Sequence, residues 1–328
     1  IPGIGLYLMI NYVYKIEETK KEKKQEQKIR WGVFITLGII GISMLIVVMA
    51  PFVLQTPTHL ENETFSIQQR IIININQIKD RLFPFERGLT HAYWAPNIWA
   101  LYNFVDKLLA IAMRKSSGSL TRGLVEQNEH SVLPTITPMI TLLLSFITSV
   151  TSVIALHLHN QKQTRKKQKT LSVLLLQSIV LSSSAFFMFG WHVHEKAILM
   201  ILIPLAFLML IEPKFQSIYF LLSYIGTYSL FPLLYPSNLF VLKWSITLIY
   251  HIYLSLTLIQ LKKIHYLCIF LSVCIDLYQT ILHPFIFSEK LPFLPLMIIS
   301  VYSSIFVVIA LGAFIGKVFH FKNPLLKR

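Results

Sequence analysis

The sequence has 328 residues, 54% of them hydrophobic and 14% charged, with a mean hydropathy of +0.60. Soluble domains carry about a quarter charged residues, so this composition excludes an ordinary soluble globule and points to membrane helices. The formal net charge is +15, but the basic residues fall in short clusters between apolar runs. They form no aromatic–basic, zinc-spaced or recognition-helix motif, so the expected partner is a lipid bilayer and not nucleic acid.

Taken in order, Ile1 to Tyr14 reads as the end of a span and Lys15–Arg30 as a solvated loop with seven Lys/Arg against four Glu. The next span, about 31–53, closes a first region, 1–53. A long segment, 54–134, follows. Within it, 94–113 is long enough to cross a bilayer but carries Asn97, Tyr102, Asn103, Asp106 and Lys107. Charges at mid-helix cost about 2.5–3.5 kcal/mol each on insertion, and Trp99, Asn103 and Asp106 recur at helical spacing. The pattern predicts an amphipathic helix lying at the interface.

Region 135–316 holds apolar runs at about 135–157, 171–190, 197–211, 216–234, 239–259, 266–282 and 293–316, and 317–328 is a basic tail. The expectation is an all-α, polytopic helical membrane protein with about eight complete spans, a partial one and one long loop. Cys268 and Cys274 share one apolar run, lie on different helix faces and read as packing residues.

If 94–113 does not cross, the basic clusters at Lys15–Arg30, Lys162–Lys169, Lys262–Lys263 and the tail share one side. Segment 54–134, with eight Lys/Arg against seven Asp/Glu, takes the other. The positive-inside rule makes the first side cytoplasmic and the second lumenal. Asn62-Glu63-Thr64 is then a candidate glycosylation site on the lumenal side.

Ionisable residues between apolar segments of a membrane chain mark a functional site by default. Two stretches qualify. FMFGWHVHEKAILM, Phe187 to Met200, holds His192, His194, Glu195 and Lys196 between two apolar runs. If it is helical throughout, His192, Glu195 and Lys196 share a face. If the helix starts near His194, Glu195 lies in its first turn and free backbone N–H groups suit an anion. An interfacial cap is the plainer reading. No zinc-type spacing accompanies the two histidines, so no metal is expected. RLFPFERGLTHAYWAPNIWALYN, Arg81 to Asn103, collects Glu86, Arg87, His91, Tyr93, Trp94 and Asn97 in a loop broken by Pro84, Gly88 and Pro96. Aromatics beside charges suit sugar and phosphate, and equally an interfacial aromatic belt. Asp276 and His283, near the end of a span, stay open.

These two stretches, with YSLFPLLYPS, resemble the dolichyl-phosphate-glucose-dependent α-1,3-glucosyltransferases of the endoplasmic reticulum, multispan enzymes of the C-type glycosyltransferase fold. HAYWAPN and FGWHVHEK resemble the member that adds the second glucose to the dolichol-linked oligosaccharide. The alternative is the sibling that adds the first.

The resemblance implies dolichyl phosphate glucose as donor, the monoglucosylated dolichol-diphosphate-linked oligosaccharide as acceptor, no cofactor and an active face in the lumen. It implies donor-phosphate contacts from His194, Lys196 and Arg87, supported by His192 and Glu195. Glu86, His91, Tyr93, Trp94 and Asn97 would meet sugar or acceptor. The general base is expected upstream of Ile1, on a chain truncated at its N-terminus. A transporter with a polar relay at His194–Lys196 would be expected to show repeat symmetry, which the sequence lacks.

Overall fold

The computed structural model describes residues 2–18, 25–54, 66–82, 85, 87–91, 93–115, 130–162, 170–234, 236–258, 260–288 and 290–319. In chain order the elements are α1 (Pro2–Leu8), which continues as a π-turn, β1 (Tyr14–Glu18), β2 (Gln25–Ile29), α2 (Trp31–Leu54), α3 (Ile67–Leu82) and α4 (Ile98–Ala112). Then come α5 (Pro138–Gln161), α6 (Leu171–Phe189), α7 (Leu199–Ile211), α8 (Gln216–Tyr228), α9 (Phe240–Thr257), α10 (Lys263–Leu277), α11 (His283–Phe287) and α12 (Leu294–Val318). The chain divides into two compact units, Gly5–Glu86 and Ile1–Ile4 with Arg87–Arg328.

Among the described residues, six helical stretches are long and apolar enough to cross a membrane: α2, α5, α6, α9, Lys263–Phe287 and α12. The architecture is that of an all-α polytopic membrane protein. The apolar runs at 197–211 and 216–234 form α7 and α8, of 13 residues each. At 1.5 Å per residue such a helix rises about 20 Å, short of the roughly 30 Å hydrocarbon core. Glu212-Pro213 separates them at a 3-10 turn.

In the smaller unit, β1 and β2 pair antiparallel, with Tyr14 opposite Ile29. The sequence reads as a loop there. The ladder gives each strand's backbone polar groups partners that a solvated loop finds in water. Among the described residues nothing buries a residue of α2, and its apolar surface suits a span that faces lipid. The start of α3 is a capping box: Ser66 Oγ accepts from the Gln69 N–H at 3.3 Å, and Gln69 Oε1 accepts from the Ser66 N–H at 3.0 Å. Asn74 ties α3 to α2 by donating to the Val53 carbonyl at 2.8 Å. Ser66→Ala is expected to cost α3 about 1 kcal/mol, read as faster amide exchange in its first turn with α2 unchanged.

In the larger unit, α6 packs between α5 and α7, and α12 packs on α8 and α4. Small polar residues permit close approach: Ser149 on α5 meets Ser182 on α6 at 2.7 Å, and both are buried. Such contacts replace the hydrophobic driving force that lipid cannot supply between helices. Cys268 packs inside against Tyr302, as expected, whereas Cys274 is exposed.

Candidate functional site

Helix α6 stops at Gly190, whose extended backbone (ψ 154°) breaks the helical path. An added Cβ there would lie 2.4 Å from the Phe186 carbonyl oxygen and 2.8 Å from Val193 Cγ2, so only glycine fits. The chain then turns through His192, at φ 50°, a conformation that costs a side-chain-bearing residue energy and persists only when its surroundings fix it.

Those surroundings are the loop from Arg87 to His91. His192 N–H donates to the Leu89 carbonyl at 2.9 Å, and Thr90 and Val193 form a parallel bridge. The 3-10 turn Glu195–Ile198 follows, with His194 at its N-cap position, and runs into α7. His192–Lys196 is therefore not helical throughout. The turn begins after His194, as in the second of the two readings above.

This pairing of loops gathers three imidazoles. The ring centroid of His91 lies 4.5 Å from that of His194 and 5.4 Å from that of His192, and the latter two are 5.9 Å apart. Sequence spacing does not show this cluster, because His91 comes from a different loop. His192 is 9% exposed. Its Nδ1 lies 2.8 Å from the Gly88 carbonyl, which can only accept, so Nδ1 carries the proton. Burial pushes the His192 imidazole down, an effect the Gly88 bond opposes and neighbouring His91, His194 and Arg87 reinforce. Burial lowers His91 too, reinforced by His194 and Arg87 and opposed by Glu195. Glu195 is buried, while Lys196, His194 and Arg87 are exposed.

The remaining expected residues divide by role. Asn97 caps α4: Oδ1 accepts from the Trp99 N–H at 3.1 Å and Nδ2 donates to the Phe187 carbonyl at 3.1 Å. With both ends of its amide engaged and the residue buried, Asn97 joins α4 to the end of α6 and offers little to a ligand. Tyr93 is a strut, its hydroxyl donating to the Ser229 carbonyl at 2.7 Å.

Tyr93 and Trp94 also line a cavity of about 450 Å³ with Lys107, Ile111, Leu291 and Met297. Lys107 is the only charged group among its described lining residues; its ammonium sits 5.8 Å from the Trp94 ring centroid, and burial lowers its pKa. Glu86 and Asn62 lie outside the described residues. Asp276, left open by the sequence, accepts from Tyr228 Oη at 3.0 Å and Trp244 Nε1 at 2.7 Å. His283 meets Tyr278 at 2.9 Å.

Residues that hold the site but carried no functional signal lie on α4. Trp99 Nε1 donates to the Gly190 carbonyl at 2.9 Å. Asn103 Nδ2 donates to Thr90 Oγ1 at 3.2 Å, and His130 Nε2 lies 3.0 Å from Asn103 Oδ1. Asp106 accepts from the N–H groups of Ser131, Val132 and Leu133 at 2.8 to 2.9 Å. The polar face of α4 is thus its inner face, and Val105, Leu108 and Ile111 are exposed.

The class that these features define is a polytopic helical membrane protein, two of whose loops interlock around three histidines. The sequence matches the ALG6, ALG8 glycosyltransferase family over residues 2–314, and the chain belongs to that family. It is 37% identical over 95% of its length to a Drosophila melanogaster protein named probable dolichyl pyrophosphate Glc1Man9GlcNAc2 alpha-1,3-glucosyltransferase, covering 57% of that protein. Proteins given the same name without "probable" are 34% identical in Dictyostelium discoideum, over 91% of this chain and 52% of the relative, and 31% identical in Mus musculus, over 93% and 56%. The chain spans about half the length of these curated relatives.

Proposed function

We propose that this chain is part of an endoplasmic-reticulum glucosyltransferase that moves glucose from dolichyl phosphate glucose to the monoglucosylated dolichol-linked oligosaccharide. The observation that carries the reading is the interlocking of loops 87–91 and 190–196, which brings three histidines together, with Arg87 in the first loop and Lys196 at the end of the second. The family match and the names of the relatives support the same class of reaction.

A β-linked donor giving an α-linked product requires inversion at the anomeric carbon, which a single in-line displacement achieves. The acceptor 3-hydroxyl gives its proton to a general base and forms the new C–O bond as the bond to the dolichyl phosphate oxygen breaks. Negative charge develops on the departing phosphate, and cations fixed in advance beside it stabilise that charge more in the transition state than in the ground state. Arg87 and Lys196 are the cations that this reading assigns to that charge, and His194 is its imidazole contact to the phosphate. His192, bonded to Leu89 and Gly88, holds the loop that presents them, and Glu195 is assigned to orient them. The apolar cavity at Trp94 and Lys107 suits the lipid part of the donor or the acceptor glycan. Under the positive-inside reading this site faces the lumen, and α4 lies in the interface with Val105, Leu108 and Ile111 toward lipid.

His194→Ala in the full-length protein is expected to lower glucosyl transfer by about a hundredfold with near-normal abundance. Parallel loss of abundance and transfer would mean a folding role. Cells lacking the protein are expected to accumulate the monoglucosylated lipid-linked oligosaccharide. Accumulation of the unglucosylated form would instead assign the first-glucose reaction.

A further inference from the structure

We propose that His91, His192 and His194 form a binding site for a zinc-class divalent transition-metal ion. Each offers a ring nitrogen, and these nitrogens all lie within 4.8 Å of one another. Around tetrahedral zinc, nitrogens bound at 2.0–2.1 Å stand about 3.4 Å apart, so rotation of the exposed His194 and half-buried His91 rings toward His192 would close the set.

The second observation is the state of His192. Its Nδ1–H is committed to the Gly88 carbonyl, which leaves Nε2 as a bare lone pair. That Nε2 is buried and has no hydrogen-bond partner among the described residues. A buried polar atom without a partner is costly, and native proteins fill such positions. A backbone carbonyl that fixes one ring nitrogen so that the other can ligate is the usual outer-shell arrangement of a metal-bound histidine.

One Glu195 carboxylate oxygen, Oε2, is also buried without a hydrogen-bond partner among the described residues.

Three imidazoles leave at least one coordination position for water or an anionic oxygen. A phosphate-bearing donor would supply such an oxygen. That extension rests on the transferase reading, whereas the ion site stands on the histidine geometry alone.

The test uses full-length protein purified without a histidine tag, stripped with a chelator and titrated with Co²⁺ or Zn²⁺ alone. The expected result is saturable uptake of one ion per chain, visible absorption typical of nitrogen-ligated tetrahedral Co²⁺, and its displacement by Zn²⁺. His91→Ala, His192→Ala and His194→Ala should each weaken binding by at least about tenfold. Amide exchange in α6 and α12, unchanged in the exposed-ring variants His91→Ala and His194→Ala, separates ligand loss from misfolding. The proposal is overturned by no saturable uptake, by uptake that all three variants retain, or by a site that takes inorganic phosphate and not Co²⁺. Glucosyl transfer is scored on the same preparations. Transfer without ion uptake overturns the ion site and leaves the transferase reading standing; uptake without transfer upholds the site and removes that reading.

Discussion

Gly190→Ala is expected to release the loop that carries His192 and His194, at a cost of about 2–3 kcal/mol. The new methyl would overlap the Phe186 carbonyl oxygen at 2.4 Å, and backbone cannot swing away as the end of a side chain can. Relief requires moving either the last turn of α6 or residues 191–193, and the second is held by the Thr90–Val193 bridge and by the bonds of His192 to Leu89 and Gly88. Trp99 would lose its bond to the Gly190 carbonyl in the same movement. Displacement of reacting groups by about 1 Å can lower a rate by about a hundredfold, so transfer should fall more than stability alone explains. Amide exchange of residues 190–196 measures the release directly. Gly312→Ala is the matched control: it lies in α12 with nothing within 4 Å of an added Cβ. It should be neutral or stabilise that helix by up to about 1 kcal/mol.

Asp106→Ala is expected to detach residues 131–133 from α4, with a loss of about 3 kcal/mol. Three N–H groups would lose a charged acceptor, and hydrogen bonds to charged groups contribute about 1.5–3 kcal/mol each. The total falls below their sum because residues 131–133 are partly exposed and their amides can reach water. Asp106→Asn, which keeps one carbonyl acceptor, should lose about half as much.

Burial alone would raise the Asp106 carboxyl, but the bonds from Leu133, Ser131 and Val132, with a smaller contribution from His130, hold it below its ordinary value. A lowered folded-state pKa means that the unfolded chain takes up the proton first as pH falls. The stabilisation is therefore complete above about pH 3.9 and is lost as pH falls through the folded-state value. Amide exchange at residues 131–133 should then be pH-insensitive at neutrality, once corrected for intrinsic rates. Loss of protection already near pH 6 would mean that His130, and not Asp106, anchors the segment.

The helical membrane architecture was legible because composition and run length speak directly to the bilayer. Helix starts were also legible in principle. Thr137-Pro138 and Thr170 stand where α5 and α6 begin, and Ser66-x-x-Gln69 announces α3, though the long polar segment hid it. The polar stripe Trp99–Asn103–Asp106 was visible, but not that it turns inward. A helical pattern shows that two faces differ, and the neighbours decide which one is covered. The β1–β2 hairpin escaped because its charged residues give no alternating apolar signal.

By itself the sequence determined what depends on local chemistry: apolar segments that must be helical because lipid offers no hydrogen bonds, basic clusters between them, and ionisable residues at their ends. Only the tertiary structure decided which of those residues meet. His91 approaches His192 and His194 because a backbone bridge, a strained turn and a glycine without room for a methyl join two distant loops. Through-space packing of that kind has no period or spacing in the chain from which it could be read.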